Sequence, residues 1–147
     1  MKISNYIQTL SFLDASNRNE AIDALIELLE KKKKLPNKMA FRKAIFDREE
    51  LISTGIGMGV AVPHAKLKGF DDFFIAVGIQ QKKGIEWEAI DKAPVRLIFL
   101  IGGPDDRQNE YLQILSQLTN AIKDQDLRKT LMQASSDQEV LEAFSSF

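Results

Sequence analysis

Val95-Arg96-Leu97-Ile98-Phe99-Leu100-Ile101 is a β-branched and aromatic run broken by a single charge and closed by Gly102-Gly103-Pro104. Too short to cross a membrane and bounded by turn residues, such a run predicts a strand buried within a sheet. Phe73-Phe74-Ile75-Ala76-Val77-Gly78-Ile79 reads the same way, and Val60-Ala61-Val62-Pro63 is a shorter apolar strand candidate with His64 at its very end. Beyond the Gly-Gly-Pro break, Tyr111, Ile114, Leu115, Leu118 and Ile122 recur at helical spacing, and residues 127–132 and 137–144 predict two further short helices. On the other side of the strands, an extended stretch at 10–13 precedes Asn17. Asn17 can cap a helix with Glu20 at its third position and Ile22, Leu25, Ile26 and Leu29 along one face, predicted to run to about Lys34. Leu35-Pro36-Asn37 interrupts it, and a second helical pattern carries Met39, Ala40, Ala44 and Ile45 on one face before reaching Arg48 and Leu51. Helices, then strands, then helices predict an α/β sandwich.

At 147 residues the chain is long enough for one real core, and no Pro/Gly/Ser-rich linker or repeat divides it, so a single domain over 1–147 is expected. Twenty Lys and Arg face 21 Asp and Glu, a net charge of −1 that gives no electrostatic reason to expect nucleic acid or an anionic membrane as partner. Cysteine is absent, which excludes disulfides, thiolate catalysis and sulfur-ligated zinc. The N-terminus carries no apolar run of signal-peptide length and nowhere do 18 apolar residues follow one another, so the expectation is a cytoplasmic protein without membrane insertion.

Gly55, Gly57 and Gly59 follow a helix and precede a strand, the reverse of a dinucleotide fingerprint, and no Lys-Ser or Lys-Thr pair completes a phosphate loop. Asp71-Asp72 and Asp105-Asp106 lack the spacing of a metal site, and the second pair is expected simply to precede a helix. Lys31 to Lys34 read as a cationic last helical turn, and Trp87 as a strand or turn residue with one face covered. There is no G-x-S-x-G elbow. His64, the only histidine, is different: it follows Pro63, an apolar strand and three close glycines, at a strand end where α/β clefts open. A neutral imidazole is a nucleophile when one ring nitrogen keeps its lone pair while the other donates a hydrogen bond, and Arg48 could supply a planar cation for an incoming phosphate.

The whole segment Arg48-Glu49-Glu50-Leu51-Ile52-Ser53-Thr54-Gly55-Ile56-Gly57-Met58-Gly59-Val60-Ala61-Val62-Pro63-His64-Ala65-Lys66 resembles the signature of the enzyme IIA domains of the fructose/mannitol and nitrogen-regulatory class of the bacterial phosphotransferase system. The resemblance implies a mixed β-sheet flanked by helices on both faces. It implies that His64 accepts a phosphoryl group, on Nε2, from the phosphohistidine of the histidine-containing phosphocarrier protein. Arg48 matches the family's active-site arginine and Thr54 falls in the turn beside the same pocket. Many members carry a second histidine in the helix after the last strand. Tyr111 stands at that place, with Gln113 nearby as a possible polar substitute. Neither a metal nor an organic cofactor is implied. The expected role is a nitrogen-regulatory phosphocarrier reporting to regulatory target proteins. The alternatives are a sugar-specific enzyme IIA serving a separate permease subunit, and an interaction module that is never phosphorylated.

Overall fold

A computed structural model describes residues 2–147. Its centre is a six-stranded mixed sheet built from β1 (Ile7–Phe12), β2 (Gly55–Gly57), β3 (Val60–Ala61), β4 (His64–Lys66), β5 (Phe74–Ile79) and β6 (Leu97–Gly103). The order is β1-β5-β6-β3-β2, and β4 shares with β3 the same partner, β6. β5 and β6 are antiparallel, whereas β1 runs parallel to β5 and both β3 and β4 run parallel to β6. Every residue of β5 and β6 is buried, which is why these strands read as unbroken apolar runs.

Successive side chains of a strand point to opposite faces, and each face here has its own helical cover. Ala76, Ile98 and Leu100 pack beneath α1 (Arg18–Lys31) and α2 (Lys38–Leu51). Ile75, Val77, Phe99 and Ile101 pack beneath α3 (Gln108–Lys123), α4 (Gln125–Gln133) and α5 (Asp137–Ala143). The α/β architecture with helices on both faces is therefore as expected.

Local outcomes differ in five places. α1 starts as predicted, with the Asn17 side chain accepting from the Glu20 amide at 2.9 Å, but it ends at Lys31. Lys33 adopts a left-handed φ of 58°, and the amides of Lys33 and Lys34 return to the carbonyls of Glu30 and Leu29, closing the helix without glycine. α2 turns a different face inward: Phe41, Ile45 and Glu49 are buried four residues apart, while Met39 is 70% exposed. The first strand begins at Ile7, ahead of the stretch expected at 10–13. Gly102 and Gly103, read as a break, are the end of β6. A Cβ at Gly102 would run into the Phe74 ring and lie 2.7 Å from that of Phe41, and one at Gly103 would run into the Phe73 ring, so only a bare backbone fits beneath the aromatic rings.

The fifth difference bears on the site. Gly55–Gly57 is a strand, and Met58-Gly59, with φ of 60° and 76°, is the two-residue turn of a β2–β3 hairpin. Both central residues are left-handed, as a type I′ turn requires. His64 does not close a strand but opens β4. The interruption between β3 and β4 falls at Val62-Pro63, where Pro63 has no amide hydrogen for the ladder. The Val62 amide turns instead to the Thr54 carbonyl at 3.0 Å, and the Ile101 amide takes the Pro63 carbonyl at 2.9 Å.

Candidate functional site

Because the chain jogs at Val62-Pro63, the half-buried imidazole of His64 folds back over its own backbone, and Nδ1 lies 2.9 Å from the Val62 carbonyl oxygen. A carbonyl can only accept, so in the neutral ring Nδ1 carries the hydrogen and Nε2 keeps its lone pair. Burial pushes the imidazole below the usual histidine range. The bond to Val62 and the Glu49 carboxylate oppose that shift, and the charges of Arg48 and Lys66 add to it. The ring is thus neutral and nucleophilic at physiological pH.

Two cations from different elements act on the charge of this ring. Arg48 stands in the last turn of α2, and its guanidinium donates to the Ile52 carbonyl at 3.0 Å, a helix-end acceptor that would otherwise lack a partner. Lys66 is two residues beyond His64 on the same strand face. Its ammonium donates to Gln108 Oε1 and sits 4.2 Å from the centre of the Tyr111 ring. The Tyr111 ring is 6.0 Å from that of His64 and stacks on Phe73 at 5.9 Å. Burial pushes the Tyr111 hydroxyl up to about 12, so it stays protonated and uncharged. Gln113 is not brought to the site. Two residues past Tyr111 is about 200° around a helix, and Gln113 lies exposed on the other side of α3.

Thr54 is close, but behind the site. It is 4% exposed, and its hydroxyl donates to Glu49 Oε2 at 2.6 Å while its amide donates to Glu49 Oε1 at 2.9 Å. Trp87, 1% exposed, donates its indole hydrogen to Glu49 Oε1 at 2.6 Å, with Thr54 Oγ1 at 3.3 Å. Taking a carboxylate such as that of Glu49 out of water costs several kcal/mol, offset here by three donors converging on it. Trp87 is therefore wholly enclosed, not half-covered as expected. The acidic pairs stay apart from the site: Asp105 and Asp106 are exposed ahead of α3, and Asp72 pairs with Arg107 at 3.4 Å.

The sequence by itself assigns no role to Glu49, Trp87 or Lys66. The available signals were an indole that needs an acceptor once buried, a carboxylate four residues past Ile45 on the inward line of α2, and a cation one strand period from His64. Together these side chains give a neutral imidazole with a free Nε2 lone pair under the electrostatic influence of a guanidinium and an ammonium, an arrangement that could receive an anionic electrophile such as a phosphoryl group.

Residues 4–147 match the family model of the phosphoenolpyruvate-dependent sugar phosphotransferase system, EIIA 2. The nitrogen regulatory protein of Escherichia coli is 36% identical over 134 residues, which cover 90% of this chain and 80% of that protein. The fructose-specific EIIABC component of Bacillus subtilis is 33% identical over 130 residues, covering 88% of this chain and 20% of that larger protein. Among solved structures, the nitrogen regulatory protein IIA-Ntr from Neisseria meningitidis superposes with a TM-score of 0.87 at 27% identity, over 97% of this chain and 99% of that one.

Proposed function

The chain belongs to the EIIA 2 family of the phosphoenolpyruvate-dependent sugar phosphotransferase system, and on that premise we propose that it is a nitrogen-regulatory phosphocarrier whose acceptor atom is Nε2 of His64. The observation that carries this reading is the 2.9 Å contact from His64 Nδ1 to the Val62 carbonyl, which leaves Nε2 free. The Nε2 lone pair attacks the phosphorus of the carrier protein's phosphohistidine. A nitrogen–phosphorus bond forms on His64 as the one on the carrier breaks, and the carrier's imidazole leaves with the electron pair. The His64 ring grows more positive as it takes up phosphorus, and the Val62 carbonyl faces the hydrogen that becomes more acidic. Because one nitrogen–phosphorus bond replaces another, the step runs near balance and is reversible. Arg48 and Lys66 stabilise the charge spread over the phosphoryl oxygens, and this protein's own groups need do little beyond positioning and electrostatics. Thr54 contributes from behind, through the Val62 amide, and not by touching phosphate.

A regulatory role is supported by the 36% identity to a nitrogen regulatory protein across 80% of that protein's length. It is supported too by Tyr111, which brings an uncharged ring to the place of the second histidine. The 33% identity to a fructose-specific component favours the second reading, a sugar-specific EIIA that passes phosphoryl to a separate permease subunit. No helix among the described residues is long and apolar enough to cross a membrane, in keeping with a cytoplasmic phosphocarrier.

Incubation with phosphoenolpyruvate, the general phosphotransferase enzyme and the phosphocarrier is expected to label the wild type and not His64→Ala. Labelling that persists in folded His64→Ala, or an unlabelled wild type, overturns the assignment. Transfer from the labelled protein to an isolated permease domain would decide for the sugar-specific reading.

A further inference from the structure

We propose that Glu49 is a positioning residue for His64, acting through Thr54 and Val62, with Trp87 holding the Glu49 carboxylate in place. The inference rests on the reading of His64 as acceptor, but its geometry is independent of any donor. Five hydrogen bonds form four links in series, the Glu49–Thr54 link being double. Trp87 Nε1 donates to Glu49 Oε1 at 2.6 Å, and Glu49 takes both the amide and the hydroxyl of Thr54 at 2.9 and 2.6 Å. The Thr54 carbonyl then accepts the Val62 amide at 3.0 Å. The Val62 carbonyl finally accepts the His64 Nδ1 hydrogen at 2.9 Å. The bond that sets the His64 tautomer is thus made by a residue whose own position is set by a buried anion.

Two features separate this network from ordinary core packing. Glu49 is 3% exposed, yet among the described residues no ion pair includes it. Its chain neighbour Arg48 turns instead to the Ile52 carbonyl. An unpaired buried carboxylate is a poor way to gain stability, since an apolar side chain of similar size does so without desolvating a charge. The second feature is where the carboxylate is spent. All three of its donors lie on Thr54 and Trp87, in the two segments that meet beneath the β2–β3 hairpin, and the Val62-Pro63 jog hangs from Thr54. On its other side the jog is held by the Ile101 amide, which donates to the Pro63 carbonyl at 2.9 Å, and Pro63 has no amide hydrogen to add a second bond, so the Val62 side depends on Thr54. The negative charge on the inner side also supports a ring that becomes more positive when Nε2 is phosphorylated, opposing the influence of Arg48 and Lys66.

The test is nitrogen-15 NMR of the imidazole together with the rate of phosphoryl acceptance, on wild type, Glu49→Gln and Trp87→Phe. With one histidine in the chain, the ring signals belong to His64 alone. The wild type is expected to show hydrogen on Nδ1. Glu49→Gln keeps size and shape but replaces one acceptor oxygen with a donor, so it should give a mixture of tautomers. It should also accept phosphoryl about tenfold more slowly, a loss that raising the pH does not restore because it comes from misplacement and not from protonation. Trp87→Phe, which removes one donor from the carboxylate, should shift both readouts the same way by less. Folded Glu49→Gln with wild-type tautomer and rate overturns the proposal. If Glu49→Gln fails to fold, an unchanged tautomer and rate in Trp87→Phe overturn it equally. The tautomer is read without any phosphoryl donor, so a wild type that is never labelled would refute the phosphocarrier reading and leave this result standing by itself.

Discussion

Replacing Thr54 by valine preserves the β-branched shape and removes one oxygen, so its cost isolates the hydrogen bonds of that oxygen. The hydroxyl donates to the buried Glu49 Oε2 at 2.6 Å and lies 3.3 Å from the Trp87 indole nitrogen. The second contact is dispensable, because the indole keeps its 2.6 Å bond to Glu49 Oε1. The loss therefore reduces to one charge-assisted hydrogen bond that leaves a buried carboxylate oxygen without a donor, about 1.5–3 kcal/mol. For a chain of 147 residues that corresponds to a fall in Tm of about 3–12 °C. Thermal and urea unfolding followed by circular dichroism measure it, with Thr54→Ser as the control that restores the hydroxyl and gives up only a methyl group. Thr54→Val within about 0.5 kcal/mol of wild type, or indistinguishable from Thr54→Ser, would show that the Glu49 oxygen draws no stability from the hydroxyl and would refute the reasoning.

The lowered pKa of His64 makes acceptance hold as pH falls through 6.5 and decline only below it. Since the Arg48 charge is among the causes of that lowering, Arg48→Ala should move the decline to higher pH as well as slow labelling, and a slowed rate with an unmoved profile would limit Arg48 to contacting the phosphoryl group. The same shift has a stability consequence: an unfolded histidine binds its proton near 6.5 and the folded one binds it lower, so stability is lost as pH drops from about 6.5 through the folded value. His64→Gln should remove that component of the pH dependence, which urea titrations on either side of pH 6.5 would resolve. Gly103→Ala pushes a methyl group into the Phe73 ring that stacks on Tyr111. It should cost about 1–3 kcal/mol and be partly relieved by Phe73→Leu, and a neutral effect in unfolding experiments would contradict the tight approach at β6.

Much of the architecture could be read from local pattern because it depends on local causes. Asn17 caps its helix with its own side chain, accepting at 2.9 Å from the amide three residues ahead in the chain. The runs that became β5 and β6 are apolar throughout because both their faces are covered. Where the reading missed, a distant partner had intervened. Gly102 and Gly103 look like a break until Phe41, Phe73 and Phe74 are laid over them. The inward face of α2 is not legible from spacing, because Glu49 counts as a surface residue until Thr54 and Trp87 supply its donors. Gln113 drew attention by being near Tyr111 in the chain, yet the helical rotation puts it on the opposite side.

What the sequence determined alone is the inventory of the chemistry and the material of the fold. One imidazole and no thiol leave His64 as the sole candidate nucleophile of its kind, and its position after Pro63, with Arg48 sixteen residues earlier, is legible as spacing. What only the tertiary structure decided is the state of that imidazole. Its tautomer depends on the Val62 carbonyl, its proton affinity on burial and on Arg48, Glu49 and Lys66, and its orientation on a carboxylate held by an indole 38 residues away in the chain. Spacing can bring residue types into a list, but hydrogen-bond direction and local electrostatics depend on distances of a few ångströms between segments remote in sequence, and those distances exist only once the sheet and its two helical layers have closed around them.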